Sequence, residues 1–417
     1  MKNKIIILLC SCVAWLSSAE QARWWKGNLH THSLWSDGDD YPEMIVGWYK
    51  EHDYQFLALS DHNKMLAGEK WIDGVTNRGG TEALEKYLKQ YGTNWVERRE
   101  DNGHEMVRLK TLEEFRGKFE EARRFLLIPA EEISDHFNSL PIHLNATNLR
   151  ELIPPQGGKS VFEVLQNDIN AVLRQRKETG LPMIPHINHP NFVWAITAED
   201  IMRVEGDRFL EIYNGHPITK NYGDTNHAST ERIWDIVLTR RLAEFGMEPI
   251  WGTAVDDSHN YHLFKSENSN PGRGWLMVRA GQLTPSALIA AMEKGDFYAT
   301  SGVRLKEIRR RPNELSIEIE PQDGISFTTQ FIGTRKGYDR ASEPVLQDGK
   351  SIVATRHYSE DIGKVLAEVK GTSSRYKLKG DEIYVRAKVI SSRLKENPTE
   401  PGDFESAWVQ PFVEGRR

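Results

Sequence analysis

Six times along this chain of 417 residues, a short apolar run ends in side chains of the kind that bind divalent metal ions. The first ending is His30-Thr31-His32, with Asp37 close behind in HTHSLWSDG; the second is Ser60-Asp61-His62 after Gln55 to Leu59. Glu131-Glu132 follow Phe125 to Pro129, His143 sits in PIHLNATN, His186 and His189 in PHINHP, and Asp257-Ser258-His259 after Ile250 to Val255. Neutral imidazole and ionised carboxylate are the ligands that Zn²⁺, Mn²⁺ and Fe²⁺ accept, so such endings on successive strands fit one shared, multinuclear site. The fold must therefore set these strand ends side by side.

HTHS with a following SDG, SDH, a glutamate, an isolated His, NHP and a final DSH occur in the order found in the PHP family, the polymerase and histidinol phosphatase metallohydrolases, which residues 27–303 resemble. The stretch Gly272 to Trp275 and an all-β tail look like the branch that includes carbaryl hydrolase. One HxH is a weak signal, whereas six motifs in family order are a strong one. The resemblance implies an α/β fold, a distorted (β/α)7 barrel of PHP type with a C-terminal all-β, sandwich-like domain. It also implies two or three divalent ions (Zn, Mn or Fe): His30, His32, Glu132 and Asp257 would hold one, Glu132 would bridge to a second completed by His143 and His189, and Asp37, His62 and His259 would hold a third.

Hydrophobic residues make up 39% of the chain, enough for two cores at this length, and the net charge of −6 argues against a large basic groove for nucleic acid. Residues 1–19 read as an export signal: Lys2 and Lys4, an apolar stretch from Ile5 to Leu16, then Ser17-Ser18-Ala19 before the expected cleavage. Cleavage would remove both cysteines, Cys10 and Cys12, and shift the charge to −8, giving an exported, periplasmic or secreted protein. The alternative is a lipoprotein anchored at Cys12. No later segment approaches the roughly eighteen consecutive apolar residues of a membrane span.

Strand candidates lie near residues 27–32, 55–60, 125–130, 141–146, 183–188, 208–213 and 249–255, with helical apolar spacing over 41–52, 112–124, 161–176 and 231–245. Strand–helix alternation predicts a parallel sheet for residues 20–303, with the site at the strand ends. Residues 63–111 form an insertion too long for a simple connection, either a lid over the site or a solvated helical hairpin. From 304 to 417 the pattern becomes alternating, as in Leu315, Ile317 and Ile319, and predicts a small β domain holding only His357 of the 14 histidines.

Within the site, His30 and His32 are two apart on a strand and share a face, as Asp257 and His259 should. By the resemblance, Glu132, directly before the apolar Ile133, is preferred to Glu131, which would then face the other way, and His189, whose His-Pro closes the family motif, to His186, which is left as a supporting donor or a core residue. Asp61 is expected to orient a ligand imidazole, to accept a proton, or simply to cap the strand end. Arg273 is read either as a guanidinium clamp on substrate oxygens or as a surface ion pair. Glu211, Asn214 and His216 are placed at the mouth, and His52, His104, His136, His227, His262 and His357 at the surface. The expected chemistry is hydrolysis by a metal-bound hydroxide acting on a small, anionic substrate, a phosphate ester first and an amide, carbamate or carboxylic ester second. A non-catalytic exported binding protein is the remaining class.

Overall fold

The structure, a computed structural model, describes residues 22–415, so the expected signal segment and Cys12 lie outside the described residues. The chain opens with β1 (Arg23–Asn28), α1 (Pro42–Glu51) and β2 (Phe56–Leu59). The insertion builds β3 (Lys70–Asp73), α2 (Gly80–Tyr91), β4 (Arg98–Asp101) and β5 (His104–Leu109), and α3 (Leu112–Phe119) leads back. Then follow β6 (Leu126–Phe137), β7 (Leu140–Thr147), α4 (Val161–Thr179), β8 (Ile184–Ile187), α5 (Ala198–Ile201), β9 (Phe209–Asn214), α6 (Thr230–Ala243) and β10 (Trp251–Val255).

These strands hydrogen-bond in the order β10-β9-β8-β7-β6-β2-β1. Strands β2, β8, β9 and β10 are buried throughout, which is why they read as continuous apolar runs rather than alternating ones. Helix α4 covers β6, β7 and β8; it starts at Ser160, whose side chain accepts from Glu163 N–H, and ends at Gly180 in the left-handed conformation. Six of the seven expected strands fall where expected and the first is shifted to Arg23–Asn28, leaving His30 and His32 past its end; the regular (β/α)7 alternation is not what the chain builds. β6 and β7 form a hairpin with only Asn138 and Ser139 between them, and β7 runs antiparallel to both neighbours. Past the last ladder pairs, His32 N–H donates to Ser258 O and Asp257 N–H to His30 O, both at 3.0 Å, so the chain leaving β10 lies against the chain leaving β1.

Next come β11 (Trp275–Ala280), α7 (Pro285–Glu293) and β12 (Phe297–Thr300). The C-terminal region contributes β13 (Leu305–Arg311), β14 (Glu314–Ile319), β15 (Phe327–Arg335) and four two-residue strands, β16 (Ser342–Glu343), β17 (Leu346–Gln347), β18 (Lys350–Ser351) and β19 (His357–Tyr358). It closes with β20 (Lys364–Lys370), β21 (Ser373–Lys377), β22 (Glu382–Leu394) and β23 (Phe404–Phe412). Beyond β1 the main sheet runs on as β11-β12-β23-β22-β15-β20, so the C-terminal region shares that sheet. A second sheet, β13-β14-β21, joins it around one core of Leu315, Ile317, Phe331, Val385, Ala387 and Val389. The opposite face of β22 is covered as well: Arg386 pairs with Asp235 of α6 at 2.6 Å and Lys388 with Glu231. Among the described residues, no helix is long and apolar enough to cross a membrane.

The insertion is neither a free hairpin nor mainly helical. Its sheet runs β3-β5-β4, and its helix shares a core with α1, where Tyr87 Oη and Trp95 Nε1 donate to the buried Glu43 carboxylate at 2.6 and 2.8 Å.

Candidate metal centre

The segment after β1 carries His30 and His32 on either side of Thr31, which bridges Ser258. Their Nε2 atoms stand 3.1 Å apart and point to the same side. Asp257 Oδ1 lies 3.2 Å from the first and 3.1 Å from the second. Asp257 does not reach them by strand alternation: its φ of +48 breaks the strand, a conformation Asp tolerates better than most residues. That turn also lets His259, two residues on, face Asp37 and stack on His32 with ring centroids 4.1 Å apart.

Glu132, fully buried on β6, is the hub. Its Oε1 lies 3.3 Å from His30 Nε2, 3.1 Å from His143 Nδ1 and 3.4 Å from His189 Nε2; its Oε2 lies 3.4 Å from His32 Nε2 and 2.6 Å from His62 Nδ1. Asp37 Oδ1 stands 3.5 Å from His62 Nε2, 3.3 Å from His259 Nε2 and 3.6 Å from His32 Nδ1. All nine side chains singled out as ligands in the sequence thus converge.

Beneath them lies a layer that sequence reasoning placed wrongly or missed. Glu211 is fully buried rather than at the mouth: its Oε1 meets His30 Nδ1 at 2.7 Å and His186 Nε2 at 3.2 Å, and its Oε2 accepts from His189 N–H and Asn214 Nδ2. A carboxylate on the outer ring nitrogen fixes the tautomer, leaving Nε2 of His30 free to bind a cation. Asn214 also donates to Asp257 Oδ2 at 3.1 Å, and Asn188, missed in the sequence, donates to Glu132 Oε1 at 2.7 Å. Ser134 Oγ donates to Glu132 O and stands 2.6 Å from His62 Nδ1. The one available signal for Asn188 was its place inside HINHP.

Burial works to lower the His30 pKa, but the carboxylates of Asp257, Glu211 and Glu132 outweigh it and hold it well above the ordinary value. Burial and the neighbouring His259 and His62 drive His32 down to about 3, whereas for His62 burial is overcome by Glu132 and Asp37, which lift it to about 9. Burial would raise Glu132 and Asp257; surrounding histidines, led by His62 for the first and His30 for the second, hold both well below the usual carboxylate range. The centre thus favours ionised carboxylates, the state in which they bind cations.

Several expected roles need correction. Arg273 is not at the site: its guanidinium is buried, with Nε and Nη2 donating to Asn397 O and Oδ1, Nη1 to Gly215 O and Asn268 O, and Nη2 also to Lys265 O. All five N–H donors are used, so none remains for a substrate. Asp61 touches no imidazole; it accepts from Ser33 N–H and Oγ at 2.8 Å and from Ser36 Oγ at 2.6 Å, holding the turn that carries Asp37, and burial pushes its pKa to about 6. Glu131 faces away and accepts from Ile153 N–H; Asp256 accepts from Tyr49 Oη and from the Arg273 and Gly274 amides. His186 is buried beside Glu211, in keeping with its reading as a supporting donor, whereas His262, expected at the surface, is largely covered and bonded to Asp39 O. His216 stands at the rim, its ring centroid 5.3 Å from that of His259.

The donors fit divalent cations in kind and in spacing. Nitrogen and oxygen ligands of a tetrahedral ion, each at about 2.0–2.1 Å, lie roughly 3.3 Å from one another. The His30, His32 and Asp257 atoms stand 3.1–3.2 Å apart, and Glu132 meets the two histidines through different oxygens, Oε1 at 3.3 Å from His30 and Oε2 at 3.4 Å from His32. Glu132 Oε2 and His143 Nδ1 are buried without a hydrogen bond, although other donor atoms lie close by. Two further trios, His30-Glu132-His189 and His62-Glu132-His143, share Glu132, while His32, Asp37, His62 and His259 form a separate group.

No family model matches this chain, and no curated protein does. Among solved structures, it resembles a two-domain protein from Bacteroides vulgatus containing a predicted PHP-like metal-dependent phosphoesterase, at 13% identity and TM-score 0.42 over 93% of this chain and 95% of that one. It also resembles a provisionally assigned metal-dependent phosphoesterase from Bifidobacterium adolescentis, at 11% identity and TM-score 0.26 over 56% of this chain and 87% of that one. At these values the likeness does not extend to chemistry.

Proposed function

We propose that this chain is a metal-dependent hydrolase of PHP type, acting on phosphate esters at a centre of two or three divalent ions held by His30, His32, Asp37, His62, Glu132, His143, His189, Asp257 and His259. The observation that carries this reading is Glu132, one buried carboxylate facing five imidazoles, as a bridge between neighbouring cations requires. Divalent ions held there would make water nucleophilic near neutral pH and polarise the ester oxygen. The order of motifs along the chain favours phosphate esters.

The protein's own part is preorganisation. Glu211 sets the His30 tautomer, Asn188 and Asn214 fix the rotamers of Glu132 and Asp257, and Asp61 holds the Asp37 turn. No side-chain nucleophile is required.

The test is hydrolysis of nitrophenyl phosphate, bis-phosphate, acetate and carbamate by purified, metal-loaded protein. Phosphate turnover that disappears with bound metal in a folded His30→Ala/His32→Ala double variant is the expected result. Activity confined to acetate or carbamate would replace the phosphate reading.

A further inference from the structure

We propose that Arg78, carried by the insertion, forms an anion subsite at the mouth of the metal centre and pairs with the phosphoryl oxygens of the substrate. This rests on the hydrolase reading above. Among the described residues, Arg78 is the only lysine or arginine within 4.0 Å of a carboxylate in the cluster, its Nη2 standing 3.9 Å from Asp37 Oδ2 with the side chain 64% exposed. That contact is too long for a hydrogen bond. Unlike Arg273, its planar fork is available to pair two oxygens of one anion.

The backbone that presents Arg78 is tied down. Asp73 Oδ1 accepts from Val75 and Thr76 N–H, both at 2.8 Å, and Asn77 Oδ1 accepts from Gly79 and Gly80 N–H at 2.8 and 3.1 Å. The loop lies directly on the segment that carries Asp37: a Cβ at Gly79 would sit 2.1 Å from Asp39 O, so only glycine permits this approach. From β3, Lys70 donates to the carbonyls of Leu34 and Trp35, fastening the insertion on the other side of Asp37. The fold therefore fixes the base of the side chain and leaves its charged end free over the site. Such a residue selects a substrate by the charge next to the scissile bond, which distinguishes a phosphate ester from a neutral ester or carbamate.

The experiment measures inorganic phosphate binding to the metal-loaded full chain by calorimetry, with metal content and with kcat/KM on nitrophenyl phosphate and nitrophenyl acetate, for wild type, Arg78→Ala and Arg78→Glu. Expected are at least tenfold weaker phosphate binding for Arg78→Ala and a larger loss for Arg78→Glu. The change should fall on KM for the phosphate substrate, with metal content unchanged. A wild type that hydrolyses phosphate esters beside an Arg78→Ala variant with unaltered phosphate affinity overturns the subsite alone, as does loss of metal from that variant. A metal-loaded wild type that neither binds phosphate nor hydrolyses its esters overturns the phosphoesterase reading and the subsite together.

Discussion

Replacing Glu211 with glutamine keeps the shape of the side chain and changes what its two ends can do. At present Oε1 meets His30 Nδ1 at 2.7 Å and His186 Nε2 at 3.2 Å, while Oε2 accepts from His189 N–H at 2.8 Å and Asn214 Nδ2 at 2.9 Å. Glutamine has one oxygen for these four nitrogens. If its NH₂ turns toward the backbone, the His189 amide and the Asn214 amide each lose an acceptor. If it turns toward His30, the imidazole must give up the tautomer that leaves Nε2 free. Each buried donor left unsatisfied costs about 1–3 kcal/mol. Loss of the outer partner of a ligand histidine typically weakens metal binding about 10–100-fold, or about 1.4–2.8 kcal/mol. Chelator-competition titration of Zn²⁺ or Mn²⁺ at pH 7.5, with circular dichroism to verify folding, should show Glu211→Gln in that range. A folded variant that binds metal within twofold of wild type would refute the claim that Glu211 tunes His30.

The Arg273→Lys substitution should destabilise the protein by about 3 kcal/mol or more, because several buried carbonyls lose their donor, yet leave the preference for phosphate over neutral esters unchanged; a normal melting temperature with a selective phosphatase defect would restore Arg273 to the substrate. Asp168 is held by burial, with Asp135 adding, at about 7, whereas the unfolded chain ionises it near 3.9. Its contribution is therefore full below about pH 4 and lost as pH rises to about 7, by at most about 4 kcal/mol, so the stability of Asp168→Asn relative to wild type should grow between pH 4.5 and 7.5, and a flat difference in urea midpoints would contradict this. Val193 is β-branched, 57% exposed and at φ +53, so Val193→Gly should stabilise by about 1 kcal/mol in urea unfolding; destabilisation would show that the segment after His189 is not strained.

What was legible in the sequence follows from physical locality. Strands β2, β8, β9 and β10 announced themselves because they are buried on both faces, and most of the donors because they lie close to the end of an apolar run. Strand alternation required Glu131 and Glu132 to face opposite ways, and the family resemblance chose Glu132. Local pattern failed wherever distant backbone decides. Arg273 looks like a loop arginine until Gly215, Asn268 and Asn397, from three separate segments, bring their carbonyls to it. Asp257 and His259 share the site through a left-handed residue rather than through strand period. The C-terminal strands read as a separate domain because alternation reports a face, not a partner; their edge-to-edge pairing of β23 with β12 is written in neither stretch alone. The insertion's strands are short, and β4 is wholly exposed, so it has no apolar alternation to detect.

If Glu132 organises a bridged metal centre, its loss must lower the number of ions that the chain holds. Chelator-stripped wild type and Glu132→Gln would be reloaded with excess Mn²⁺ or Zn²⁺, desalted and assayed by elemental mass spectrometry. Two or three ions per chain are expected for wild type and at least one fewer for the variant. A wild type that retains none, or a variant that retains the full complement, would contradict that role of Glu132.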